Sequence, residues 1–272
     1  MRKRLLGAII GDIAGSSYEF YKRRTKDRSK VQLTRKESDF TDDTICTVAI
    51  AESIMKKSPY KDSLIKWCKQ YNAKGCGGMF RKWIYKEDPQ PYGSWGNGSA
   101  MRVSPVGWIA KDMYQCMKMA QESALCSHNS QEGVLGAQCI AACLFCAREG
   151  RSKEYIRTIL GRFYEGWDTK TLDEIRPSYG FDSSCQGSVP VAVLAFLESE
   201  DYESCLINAI SMGGDADTLA AMAGGIAYAY YKEIPDYLIK FAESKLPDEI
   251  LDIIADFDVY ADEHLYPPVL QS

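Results

Sequence analysis

Thr44-Ile45-Cys46-Thr47-Val48-Ala49-Ile50-Ala51-Glu52-Ser53-Ile54-Met55 decides the fold class. Its apolar positions Ile45, Val48, Ala49, Ala51, Ile54 and Met55 recur at three-to-four spacing, the period that lays one stripe along an α-helix. Outward from this stretch the same period covers 63–71, 112–125, 131–147, 154–167, 189–197, 202–211 and 218–231. Two more segments, 235–244 and 247–262, each begin with Pro, whose missing N–H does no harm in a first helical turn. Alternating strand patterns bounded by hairpin dipeptides are scarce. The expectation is an all-α protein.

Residues 1–10 place Arg and Lys before an apolar run, as a leader would, but Asp12 interrupts the run and the stretch reads as the first helix of the fold. No stretch approaches the roughly 18 apolar residues that span a bilayer. Lys and Arg number 33 against 37 Asp and Glu, a net charge of -4, the wrong bias for a protein that grips nucleic acid by neutralising phosphates. Ten Cys in 272 residues form no disulfide framework. Cys139, Cys143 and Cys146 share one helix face and read as small buried apolar groups. With only His128 and His264 in the chain, zinc and copper are disfavoured. The expected setting is reducing cytoplasm. Neither an internal repeat nor a low-complexity linker divides the chain, so residues 1–272 read as a single domain.

Two segments break the helical period: 21–40, rich in Lys and Arg, and 75–98, rich in Gly, Pro and aromatics. Loops of this length in a compact helical domain usually serve a site. Gly7, Gly11 and Gly15 share one face of the first helix. Close helix packing explains Gly7 and Gly11, whereas Gly15 fits either packing or the approach of a ligand.

Two acidic clusters precede amphipathic helices: Phe40-Thr41-Asp42-Asp43-Thr44 and Gly213-Gly214-Asp215-Ala216-Asp217-Thr218. Capping and the helix dipole account for one acid in each, yet each has two. In mid-helix Asp215 and Asp217 would point about 200° apart, whereas at a helix entrance loosened by Gly213 and Gly214 they can converge. Converging carboxylates repel unless a cation joins them, and oxygen ligands suit Mg²⁺, Mn²⁺ or Ca²⁺. Glu19 is a third acidic candidate, otherwise a solvated surface residue. Gly93-Ser94-Trp95-Gly96-Asn97-Gly98-Ser99-Ala100-Met101-Arg102 reads either as a nest of backbone N–H groups suited to phosphate or as a tight turn with a Ser cap. His128 sits in Ser127-His128-Asn129-Ser130, where Asn129 or Ser130 could cap the next helix.

Taken in order, these motifs resemble the ADP-ribosylglycohydrolase family of the dinitrogenase-reductase-activating glycohydrolase type. The resemblance rests on 7–15, on Phe40-Thr41-Asp42-Asp43-Thr44 and on Gly96-Asn97-Gly98-Ser99-Ala100-Met101-Arg102-Val103-Ser104-Pro105. It continues through Ser127-His128-Asn129 and Gly213-Gly214-Asp215-Ala216-Asp217-Thr218. It implies a multihelical domain with a central cleft holding two Mg²⁺ or Mn²⁺ ions. It also implies hydrolysis of the N- or O-glycosidic bond from the anomeric carbon of ADP-ribose to a protein side chain or related acceptor.

By the same resemblance the metal ligands are Thr41, Asp42, Asp43, Asp215, Asp217 and Thr218. Catalysis falls to Glu19, Asp42, Asp43 and Asp217. Substrate is lined by Gly96, Asn97, Gly98, Ser99, Met101, His128 and Gly214. The partner is then an ADP-ribose-modified protein or a small ADP-ribosyl compound, and the chain is expected to be a monomer. The alternative is a non-catalytic ADP-ribose-binding or crystallin-like member that reuses the fold. The aromatic stretch 75–95 departs from arginine-specific members. Glu87 and Asp88 do not align securely with their acidic residue, so arginine, serine and other acceptors stay open. Tyr92 and Trp95 are candidates to stack on adenine, although loop aromatics pack inward at least as often. Ordinary carboxylate ligands would release metal at roughly pH 4–5.

Overall fold

Among the residues described by the computed structural model, 3–19 and 23–265, the chain winds into fifteen α-helices. They are α1 (Leu6–Ser16), α2 (Asp42–Lys56), α3 (Tyr60–Gln70), α4 (Gly78–Ile84), α5 (Gly98–Met101), α6 (Ser104–Ile109), α7 (Met113–Leu125) and α8 (Gln131–Arg148). There follow α9 (Lys153–Phe163), α10 (Leu172–Ile175), α11 (Cys185–Leu197), α12 (Tyr202–Ile210), α13 (Ala216–Tyr231), α14 (Asp236–Glu243) and α15 (Asp248–Leu265). A single bridge, Gly96 to Ser184, is the only β pairing among them, so the fold is all-α. Met1 and Arg2 of the opening run, and Tyr21 and Lys22 of the basic segment, lie outside the described residues.

Helix α1 is buried along its whole length, as befits a helix apolar on every side but one. Its glycine stripe meets α13 head to tail. A Cβ at Gly7 would sit 2.6 Å from Tyr228 Cβ, one at Gly15 2.5 Å from Asp217 Cα, and one at Gly11 would collide with the Ala220 carbonyl. The pairing of Gly7 with Tyr228 and Gly15 with Asp217 makes the two helices antiparallel. All three glycines therefore serve packing, Gly15 included. This contact brings the C-terminal end of α1 to the N-terminal end of α13, where the second acidic cluster lies.

Around this pair, α8 and α11 supply an Ala-, Cys- and Val-rich core; Cys139, Cys143, Cys146 and Cys185 are all buried, and none of the ten thiols is in a disulfide. The start of the chain is tied to α15: the buried Arg4 donates from its backbone N to Asp258 Oδ1 at 3.0 Å and pairs with Asp258 and Asp262 through its guanidinium. Burial pushes the Asp258 carboxyl up to about 6 against the pull of Arg4.

The helical period over 154–167 overruns the observed helix. Helix α9 ends at Phe163, and Gly166 takes φ +78 before a 3-10 turn at Trp167–Thr169, a left-handed position that favours glycine. The aromatic segment 75–98 is less irregular than its composition implies, for it contains α4, with Phe80, Trp83 and Ile84 buried. Seven residues are too few for a periodicity reading to register. No helix among the described residues is long and apolar enough to cross a membrane.

Candidate active site

Neither acid pair supplies the N-cap bond of its helix, although Asp217 Oδ1 accepts from the Thr218 backbone N at 2.9 Å within the first turn of α13. At α2 the cap is Thr41, whose hydroxyl accepts from the Asp43 backbone N at 3.3 Å. At α13 the N-cap position is Asp215, but its side chain makes no cap bond. Instead Asp215 Oδ2 accepts from Asn97 Nδ2 at 2.9 Å. Gly213, at φ +72, turns the chain into α13. The positive ends of two helix dipoles thus face the same point.

Asp12 is the acid that the sequence reading passed over. It lies fully buried on α1 and accepts four hydrogen bonds from the α2 entrance. Thr41 N and Thr41 Oγ1 reach it at 2.9 and 2.7 Å, and Thr44 N and Thr44 Oγ1 at 3.0 and 2.5 Å. These bonds use the carboxylate's acceptor capacity, so Asp12 orients the entrance of α2. Its only mark in the sequence is a lone acid in an otherwise apolar helix.

Carboxylate oxygens of Asp12, Asp43 and Asp217 lie within 4.8 Å of one another, as do those of Glu19, Asp215 and Asp217, so Asp217 belongs to both groups. Thr218 Oγ1 donates to Asp43 Oδ2 at 3.2 Å, while Asp43 Oδ1 is buried with no partner among the described residues. An orphaned buried carboxylate oxygen among other hard oxygen donors fits a divalent cation. The electrostatics agree. Burial, then Asp12, pushes Asp42 up to about 8 and Asp43 well above the usual range. Burial, then Asp215, does the same to Asp217, and burial raises Asp12 and Asp215. Glu19, half-buried, is raised by burial and by Asp215.

These shifts give a pH prediction. An acid whose native pKa lies above its unfolded value holds its proton more tightly when folded, so the stability it contributes at low pH is lost as pH rises through the native value. Without divalent cations the protein is expected to melt higher at about pH 6 than at about pH 8.5. A divalent cation that binds the cluster should level or reverse the order, because it would replace the protons. Cation affinity should also begin to fall below about pH 8, where Asp42 takes up its proton, rather than at the roughly pH 4–5 of ordinary carboxylates. Differential scanning fluorimetry across this range, with Mg²⁺ and with EDTA, checks both statements.

Above the acids lies a cavity of about 550 Å³, within the range of small-molecule sites. Glu19, Asp42, Asp43, Asp215, Asp217 and Thr218 line it on the acidic side. Gly96, Asn97, Gly98, Met101 and His128 line it on the other. Three sequence candidates stand behind the wall: Thr41 is bonded to Asp12, Ser99 Oγ donates to the Gly133 carbonyl at 2.7 Å, and Gly214 packs on the Tyr179 ring. Tyr92 lines the cavity, whereas Trp95 is 56% exposed and turned away. Asp88 is paired with Lys61 at 3.5 Å.

His128 is not needed as a cap. Ser130 caps α8, accepting from Gly133 N at 3.0 Å, and Asn129 Oδ1 accepts from Gly93 N at 2.7 Å. The cavity mouth is apolar, with Met79 and Phe181 both exposed. Phe181 carried no signal in the sequence, because it belongs to a segment without regular structure. Gly75, at φ +77, closes against Asp42 Oδ1, where a Cβ would come within 2.5 Å.

Comparison with known proteins agrees with this geometry. The family profile described as ADP-ribosylglycohydrolase matches residues 1–265. The chain is 26% identical over 313 residues to ADP-ribosylhydrolase ARH3 of Bos taurus, covering 85% of each chain. It is 26% identical over 294 residues to ADP-ribosylarginine hydrolase Tri1 of Pseudomonas putida (strain GB-1), covering 91% of this chain and 76% of that one. A solved structure described as an ADP-ribosylglycohydrolase-related protein complex shares the fold, with a TM-score of 0.73 over 96% of this chain and 98% of that one at 22% identity. With an end-to-end family match and paired acidic helix entrances meeting at one cavity, this chain belongs to the ADP-ribosylglycohydrolase family.

Proposed function

We propose that this chain is a divalent-cation-dependent ADP-ribosyl hydrolase, cleaving the N- or O-glycosidic bond between the anomeric carbon of ADP-ribose and a protein side chain or related acceptor. The observation that carries this is the orphaned Asp43 Oδ1 among uncapped carboxylates at the floor of a ligand-sized cavity. Thr41, Asp42, Asp43, Asp215, Asp217 and Thr218 are the proposed holders of two Mg²⁺ or Mn²⁺ ions. Of these, Thr41 is the one whose hydroxyl is already engaged by Asp12. Bound there, the ions supply Lewis-acid charge that orients the ribose hydroxyls and polarises water.

The chain's own groups do the rest. Asn97 holds Asp215 in place, and Thr218 holds Asp43. Gly96 and Gly98 keep backbone exposed to the occupant. Hydrolysis forms a bond from the anomeric carbon to a water oxygen, breaks the bond to the acceptor and delivers a proton to the leaving atom, while the proton shed by the attacking water passes to a site carboxylate and restores the acid. Glu19 suits that delivery, because burial makes it hold a proton longer than an ordinary glutamate. The transition state is oxocarbenium-like, as in glycoside hydrolysis generally. Ten unpaired thiols suit a reducing, cytoplasmic setting.

The test is release of ADP-ribose from arginine- and serine-linked peptides in Mg²⁺ and in EDTA. Chelator-sensitive release from either supports the assignment and names the acceptor. Release that continues undiminished in EDTA overturns the cation requirement.

A further inference from the structure

We propose that Arg102, acting through Ser127, holds His128 as its Nε2–H tautomer, so that the cavity presents a fixed N–H donor to an oxygen of its occupant. Arg102, directly after α5, is fully buried. Its Nη2 donates to the Ser123 carbonyl at 2.8 Å and to Ser127 Oγ at 2.9 Å, and Ser127 Oγ lies 2.8 Å from His128 Nδ1. A guanidinium has donors only, so Ser127 Oγ must accept from it.

Ser127 is itself fully buried and has one proton to give. Besides His128 Nδ1, the partner in reach among the described residues is Cys126 Sγ at 3.9 Å, a weak one whose own thiol faces the Ser123 carbonyl at 3.3 Å. The Ser127 hydroxyl therefore donates to Nδ1, Nδ1 is bare, and the ring proton sits on Nε2. The reverse tautomer would leave a buried hydroxyl proton without a proper acceptor, a costly arrangement.

The Nε2 edge faces the glycine wall. A Cβ at Gly98 would stand 2.9 Å from Nε2, and one at Gly96 3.8 Å. The Phe80 and Tyr92 rings flank the imidazole at 6.2 and 5.9 Å. Charged and titratable neighbours are Arg102, Tyr92 and Cys126. Burial, then the Arg102 charge, keeps the ring neutral well below the usual histidine range.

Arg102 also keeps Nε and Nη1 buried without partners among the described residues, with the Phe80 ring 5.8 Å from its guanidinium carbon. A buried guanidinium with no carboxylate is costly, which is understandable for a positioning residue. A donor at Nε2 selects an acceptor oxygen, from a phosphate or a sugar, over an ammonium or amide N–H. Only the identity of that occupant rests on the function proposed above.

Nitrogen-15 NMR of histidine-labelled full-length protein tests the tautomer directly, with His264→Gln giving the assignment. The expected result is a neutral His128 with a protonated Nε2 and a bare Nδ1, unchanged between about pH 5.5 and 8. Ser127→Ala should admit the Nδ1–H form and weaken ADP-ribose binding about tenfold, raising KM rather than lowering kcat. Arg102→Met, if it folds, should likewise mix the tautomers.

An Nδ1–H form or a titrating imidazolium in the unaltered protein overturns the proposal, as does a Ser127→Ala variant that keeps a pure Nε2–H ring. An Nε2–H ring in a protein with no affinity for ADP-ribose supports the tautomer relay and overturns the proposed occupant.

Discussion

An Asp215→Ala/Asp217→Ala variant is expected to lose about a thousandfold or more in kcat/KM for ADP-ribosyl hydrolysis and to lose its stabilisation by Mg²⁺. Asp217 contributes an oxygen to both carboxylate groups, and Asp215 completes the second of them with Glu19. Removing the pair leaves Asp12 and Asp43 in the first group and Glu19 alone in the second, so neither keeps its full set of oxygens. Metal catalysis of this kind is worth several kcal/mol, and each 1.4 kcal/mol or so is a factor of ten in rate.

The fold should survive, since α13 is held by its glycine contacts with α1, makes no cap bond through Asp215 and loses one first-turn bond, from the Thr218 backbone N to Asp217. The measurements are ADP-ribose release and thermal melting with Mg²⁺ and with EDTA, alongside far-ultraviolet circular dichroism. Hydrolysis that persists at the unaltered rate sinks the cation-dependent mechanism. A Mg²⁺-induced rise in melting temperature that persists places the cation elsewhere.

Asp12→Ala should act on stability before it acts on catalysis. The substitution strips the acceptor from two backbone N–H groups and two hydroxyls, all in Thr41 and Thr44. Leaving buried donors unsatisfied costs roughly 1–3 kcal/mol each before relaxation, and a total of roughly 3–5 kcal/mol is in keeping with losing a buried network. For a chain of this size that is on the order of 10 °C in melting temperature. Asp12→Asn should fall between the two, because its amide oxygen keeps part of the pattern while its NH₂ faces other donors. Melting curves in EDTA read this effect apart from any change in cation binding. A shift of less than about 2 °C for Asp12→Ala would show that the α2 entrance does not depend on these bonds.

These three acids differ in how visible they are in the sequence. Asp215 and Asp217 announce themselves because two carboxylates stand where one would serve as a cap, beside glycines that allow a turn. Asp12 looks like an intruder in an apolar helix, and only its position beneath Thr41 and Thr44 gives it a use. Likewise Ser99 and Gly214 belong to recognisable motifs, yet one hydroxyl is spent on the Gly133 carbonyl and the other residue makes room for Tyr179. A motif marks a stretch of backbone, whereas the direction of each side chain depends on what packs behind it.

What the sequence determined by itself is the all-α class, the course of the long helices and the family. These follow from apolar spacing within ten to twenty residues and from short motifs in a given order, both local properties of the chain. The tertiary structure alone decided which acids converge and which partner each buried polar group of the site meets. Asp43 meets Thr218 across 175 positions, and Asn97 meets Asp215 across 118. Such contacts exist because the glycine stripe of α1 lets α13 lie against it and because buried polar groups must find partners. Neither condition can be evaluated until the helices are packed.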